Sequence, residues 1–126
     1  MKTLKVEQEH SIVQRLEELM ILAGPEFVHE LIESFFEVGR KNFEEMKLAI
    51  QSSSFDLFMT AAHNLKGTSL NLGAFDLGKI CQVAENDKTF ASKAGAQEML
   101  IRIDSHLTMT ENFLRGFIKE NHSSAS

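Results

Sequence analysis

Residues 25–54 read PEFVHELIESFFEVGRKNFEEMKLAIQSSS, and the spacing of their apolar side chains decides the fold class. Val28, Leu31, Ile32, Phe35, Phe36, Phe43, Met46 and Ile50 recur at helical intervals with Glu and Lys between them, which predicts one long amphipathic helix from Pro25 to about Gln51. Pro25 suits the first helical turn, where its missing N–H leaves no bond unmade. Ser52, Ser53 and Ser54 break this helix and offer N-cap hydroxyls to the next, and Asp56 sits near the positive end of the next helix's dipole.

The same reading extends in both directions. A first helix spans about Val6 to Leu22, with Ile12, Leu16, Leu19 and Met20 on one stripe and Gly24-Pro25 ending it. It is expected to be short and to pack as an extra. After the helix that follows the serines, Asn71 and Gly73 offer a turn. A fourth helix starts near Phe75-Asp76 and carries Leu77, Ile80, Cys81 and Ala84. A polar loop at Asn86-Asp87-Lys88 leads to a last helix from about Ala94 to Lys119, with Met99, Leu100, Ile103, Leu107, Thr110, Phe113, Leu114 and Phe117 inward. Residues 121–126 read as a frayed polar tail. Short connections between long helices force antiparallel neighbours. The expectation is therefore an all-α protein, an antiparallel up-down-up-down four-helix bundle with an additional N-terminal helix, forming a single domain over residues 1–126.

Composition narrows the function. A net charge of −5 without a Lys/Arg cluster argues against a nucleic-acid surface. The N-terminus turns charged before an apolar run of signal length develops, and no segment approaches bilayer-spanning length, so a cytoplasmic protein that stays off membranes is expected. Cys81 is the single cysteine; among Leu77, Ile80 and Ala84 it reads as a small buried hydrophobe.

The chemistry concentrates in residues 59–74. At about 100° per residue, Phe58, Leu65, Ser69 and Leu72 share one side of the helix, while His63, Gly67 and Leu70 lie nearly opposite. His63 is thus expected to face water, with Gly67 one turn on clearing the space an incoming macromolecule needs. Glycine inside a helix destabilises it by roughly 0.5–1 kcal/mol relative to alanine, and access to His63 is a reason to keep it. Met59 and Leu70 add apolar docking area, and the Lys66 ammonium can neutralise a transferred anion. Neutral imidazole is a competent nucleophile near pH 7, and a phosphoryl group is its natural cargo.

The run Ala62-His63-Asn64-Leu65-Lys66-Gly67, then Asn71-Leu72-Gly73-Ala74, then Cys81 and Glu85, closely resembles the histidine-containing phosphotransfer (HPt) domain of multistep two-component signalling. The resemblance implies a phosphorelay carrier that takes a phosphoryl group from the aspartyl-phosphate of one receiver domain onto His63 and passes it reversibly to another. It implies receiver domains of response regulators or hybrid sensor kinases as partners. Nε2 of His63 would carry the phosphate, Glu85 would face Nδ1-H and orient the ring, and Lys66 would lie near the phosphate. It implies a carrier without an ATP site, consistent with the lack of a Gly-rich phosphate loop, and with no cofactor or metal of its own, Mg2+ being expected in the partner receiver. A monomer is expected; the start at Met1 suits a free-standing carrier, and a piece of a hybrid kinase would look similar. Thr68 is somewhat larger than the family's residue after the glycine. Asn64 stands where the sensor-kinase dimerisation box usually has an acidic residue, which argues against a kinase fragment.

Two other readings remain. A non-transferring helical bundle would bind receivers without accepting phosphate. A di-iron carboxylate bundle would use the Glu-x-x-His spacing at Glu7/His10 and Glu26/His29, although both pairs fall near helix starts, away from a mid-bundle cavity. His106 and His122 read as flank and tail residues.

Overall fold

The computed structural model describes residues 3–86 and 92–125, with side chains described up to residue 120. Among the described residues five helices follow in order: α1 (Val6–Ala23), α2 (Pro25–Gln51), α3 (Phe55–Asn71), α4 (Phe75–Ala84) and α5 (Lys93–Ala125). Asp87 and Lys88 of the expected polar loop lie outside the described residues.

Local chemistry ends and starts these helices. Gly24 takes φ +92°, a conformation open to glycine, and Pro25 opens α2 immediately after it. The α2–α3 link closes as a Schellman turn: Ser54 N–H donates to Ala49 O, Ser53 N–H donates to Ile50 O, and Ser53 takes φ +55°. Ser54 then caps α3, its Oγ accepting from Leu57 N–H at 3.3 Å, in keeping with the N-cap role expected of the serine cluster. The α3–α4 link repeats the Schellman pattern, with Ala74 N–H donating to Ser69 O and Gly73 N–H to Leu70 O.

Side-chain contacts set the helix directions. Gly39 of α2 packs so closely that a Cβ there would lie 3.3 Å from a Leu107 methyl of α5 and 3.9 Å from Leu65 of α3. Arg115 stacks on Phe36, whereas Arg40 reaches Asp104, so α2 and α5 run in opposite senses. Leu70 covers Gly78 while Lys66 meets Glu85, so α3 and α4 do too. Helices α2 to α5 form the antiparallel four-helix bundle and α1 is the added helix, packed on α2 and α4. Phe35, Phe58, Met46, Leu65, Leu72, Leu77, Ile103, Leu107 and Leu114 fill the centre with Ile12 and Leu16 of α1, all essentially buried. Burying each such side chain contributes about 1.5–3 kcal/mol before entropy is counted.

Two expectations need correction. The last helix does not stop near Lys119 but continues to Ala125, so the expected frayed segment is helical up to that residue. The sequence from Phe117 to Ser126 contains no glycine or proline, and without a breaker the i to i−4 ladder has no reason to end at a merely polar residue. Helix α1 is not short: it has 18 residues, and while it packs as the expected extra helix it also hydrogen-bonds the α3–α4 turn.

A candidate phosphoacceptor site on the α3–α4 face

The helix geometry of α3 alone turns His63 outward. Phe58, Ala61, Ala62, Leu65 and Ser69 are buried, and the Ser69 hydroxyl is tied back to Leu65 O at 2.7 Å, so the opposite side holds His63 with a side chain 68% exposed. A Cβ built on Gly67 would meet nothing within 4 Å. Packing therefore does not require glycine at this position. Gly116 of α5 is equally open; what distinguishes Gly67 is the imidazole one turn before it.

The second half of the site comes from the other helix. Glu85 caps the C-terminus of α4 in helical conformation, its N–H donating to Cys81 O and Gln82 O. A carboxylate at a helix C-terminus opposes the dipole, and here it is balanced by a cation: Oε1 of Glu85 lies 2.9 Å from Lys66 Nζ and 3.4 Å from His63 Nδ1. That oxygen is enclosed, and neither contact is a hydrogen bond by full geometry. It acts as a shared negative charge between the two nitrogens. Lys66 and Glu85 are each about one-fifth exposed, which preserves their attraction better than at an open surface. With Nδ1 facing the carboxylate, Nε2 is the nitrogen left for external chemistry.

Cys81, one turn before Glu85, is fully buried. Burial pushes its thiol up to about 12, the negative charge of Glu85 adds to the rise and Lys66 opposes it. This matches the reading of Cys81 as a small hydrophobe and makes it a poor nucleophile.

The apolar surroundings of His63 are uneven. Met59 is half-buried, and Leu70 is 42% exposed while lying over Gly78. Beside Leu70 the structure adds Phe75, 47% exposed, which the sequence marked only as a helix start. The two line an open hollow of about 420 Å3 with Ser11, Gln14, Arg15 and Glu18 of α1. His10 and His29 are exposed, and among the described residues no three His, Cys, Asp or Glu side chains come together as a metal-holding group. The geometry that a di-iron reading needs is not found among them.

The family model of the Hpt domain matches residues 30–112, about two thirds of the chain. The chain belongs to the Hpt domain family. No curated protein and no solved structure matches it. The match on this Hpt domain takes in His63, Lys66, Gly67 and Glu85 and begins after α1. Hpt domains are phosphotransfer carrier modules that interact with receiver domains in phosphorelays. No described helix is long and apolar enough to cross a membrane.

Sequence reasoning missed the polar residues that hold elements together. Arg40 grips the buried Glu111 with Nε and a terminal nitrogen, at 2.7–3.2 Å. A signal existed, because Glu111 stands between Leu107 and Leu114 on the inward stripe of α5. Gln8 and Ser11, which bind the α3–α4 turn, carried no comparable signal.

Proposed function

We propose that this Hpt domain accepts a phosphoryl group on Nε2 of His63 from the aspartyl-phosphate of one receiver domain and returns it to the aspartate of another. The observation that carries the reading is the shared Glu85 oxygen, 3.4 Å from Nδ1 of an imidazole 68% exposed and 2.9 Å from Lys66, on a face where Gly67 leaves the approach open.

In the forward step Nε2 attacks phosphorus, an N–P bond forms, and the acyl-phosphate O–P bond breaks to leave the receiver's carboxylate. Nδ1 keeps its proton, so the phosphorylated ring gains positive charge that the Glu85 carboxylate faces, the orienting role that carboxylates play at other histidine sites. Lys66, in contact with the same oxygen, supplies a cation near the arriving anion. In the return step a receiver carboxylate attacks phosphorus and the N–P bond breaks. The divalent cation for this chemistry is expected in the receiver's acidic pocket, so this chain contributes the nucleophile, its orientation and a docking face.

The test is incubation with a phosphorylated receiver and detection of an acid-labile, base-stable phosphate on the Hpt chain. Labelling is expected in the native protein and lost in His63→Gln. Unchanged labelling in His63→Gln would overturn the assignment, and receiver binding without any label would establish the non-transferring alternative.

A further inference from the structure

Helix α4 carries Glu85 to His63, yet it has only ten residues and its N-cap, Ala74, offers no side-chain hydrogen bond. A helix of that length is marginal alone, and its first N–H groups need partners from elsewhere. The partner is on α1. Gln8, 5% exposed, accepts from Asp76 N–H through Oε1, and its Nε2 donates to Gly73 O at 3.1 Å and to Ser11 Oγ at 2.6 Å. The Ser11 hydroxyl lies 2.8 Å from Gly73 O, and Arg15 Nε donates to Asn71 O at 3.1 Å. One buried side chain thus closes the start of α4 and, with its neighbours, the end of α3. Gly73 explains the fit: a Cβ there would lie 2.7 Å from Ser11 O, so α1 seats its backbone directly on the turn.

Helix α4 is consequently held at both ends, by Gln8 at Asp76 and by the Lys66–Glu85 contact nine residues on, about 14 Å along the axis. Between them the Leu70 side chain fills the space over Gly78, and Leu77, Ile80, Cys81 and Ala84 fasten the inner face of α4 to the core, so the two polar ties fix where its ends lie. The Nδ1 to Glu85 separation is 3.4 Å, so a slip of about 1 Å in α4 would carry the carboxylate out of contact with the ring. We infer that Gln8 is a positioning residue for His63, acting through the register of α4 and the placement of Glu85. Its consequence for phosphotransfer rests on the function proposed above; its effect on the imidazole does not.

The experiment reads the protonation pattern of the His63 ring by nitrogen-15 NMR, which needs neither partner nor phosphate and so stands or falls apart from the phosphorelay reading. In the native protein the neutral ring is expected with its proton on Nδ1, facing Glu85. Gln8→Ala is expected to lower the Nδ1-H fraction at least twofold with helicity retained. Gln8→Glu, which keeps an acceptor for Asp76 N–H at the positive end of α4 but loses the donor to Gly73 O, is expected to restore part of it. In a Glu85→Ala background Gln8→Ala is expected to change nothing further, because the two act in series. If Gln8→Ala loses helicity, Gln8→Met, which keeps the buried volume, takes its place. An unchanged ring signature with a lowered Tm would reduce Gln8 to a structural cap. A further change beyond Glu85→Ala, or failure of Gln8→Glu to restore any of the signature, would overturn the route through α4.

Discussion

At the scale of single residues, Gly67 separates what folding requires from what function requires. Its missing Cβ is not needed for space, so Gly67→Ala is expected to stabilise the protein by roughly 0.5–1 kcal/mol through helix propensity, read as a rise in Tm. Gly67→Gln is expected to keep the helical signal but block transfer from a receiver; a Gly67→Gln protein that transfers normally would remove the docking role. His63, Lys66 and Gly67 were legible in the sequence because all three ride on one helix, where 100° per residue assigns each a side without knowledge of any other element. Glu85 was not legible that way. It sits on α4, and only the resemblance to a family pointed to a contact that the structure places at 3.4 Å.

At the scale of elements, the strongest polar link joins α2 to α5. Arg40 binds Glu111 with two nitrogens and also reaches Asp104 and Thr108, each at 2.9 Å. The contact with Glu111 holds the guanidinium even more firmly protonated than usual, against the opposing effect of burial. The Glu111 side chain is 6% exposed and that of Arg40 36%, so removing the arginine strands a buried carboxylate. Arg40→Met is expected to cost about 2–3 kcal/mol, below the full value for a buried pair because Arg40 is partly in water. Arg40→Met with Glu111→Leu is expected to recover more than half, as read from urea midpoints; a double variant no better than the single one would show that the pair is not the cause. Most helix bounds could be read from the chain because serine caps, Gly24-Pro25 and Gly73 mark them locally. The end of α5 could not, since polar residues without a breaker permit either helix or fraying.

At the scale of the whole molecule, the core carries its own pH response. Cys81 has an ordinary value of 9.0 and is pushed up to about 12 in the folded protein, so between those values the folded state holds a proton that the unfolded chain has lost. Stability from this group is complete below pH 9 and declines as pH rises toward 12. Denaturant midpoints measured across that range are expected to fall less steeply for Cys81→Ala than for the native protein, and equal slopes would contradict the buried thiol. The chain has no tyrosine to add a phenol titration to the same window. The sequence by itself determined the helical class, the order of the described helices and the outward face of His63, because periodicity, caps and breakers act over a few residues. Only tertiary structure decided that Glu85 lies between His63 and Lys66, that Arg40 anchors Glu111, and that α1 seats on Gly73 through Gln8. Those contacts join residues up to 71 positions apart, and their distances depend on how whole helices pack, which no local pattern encodes.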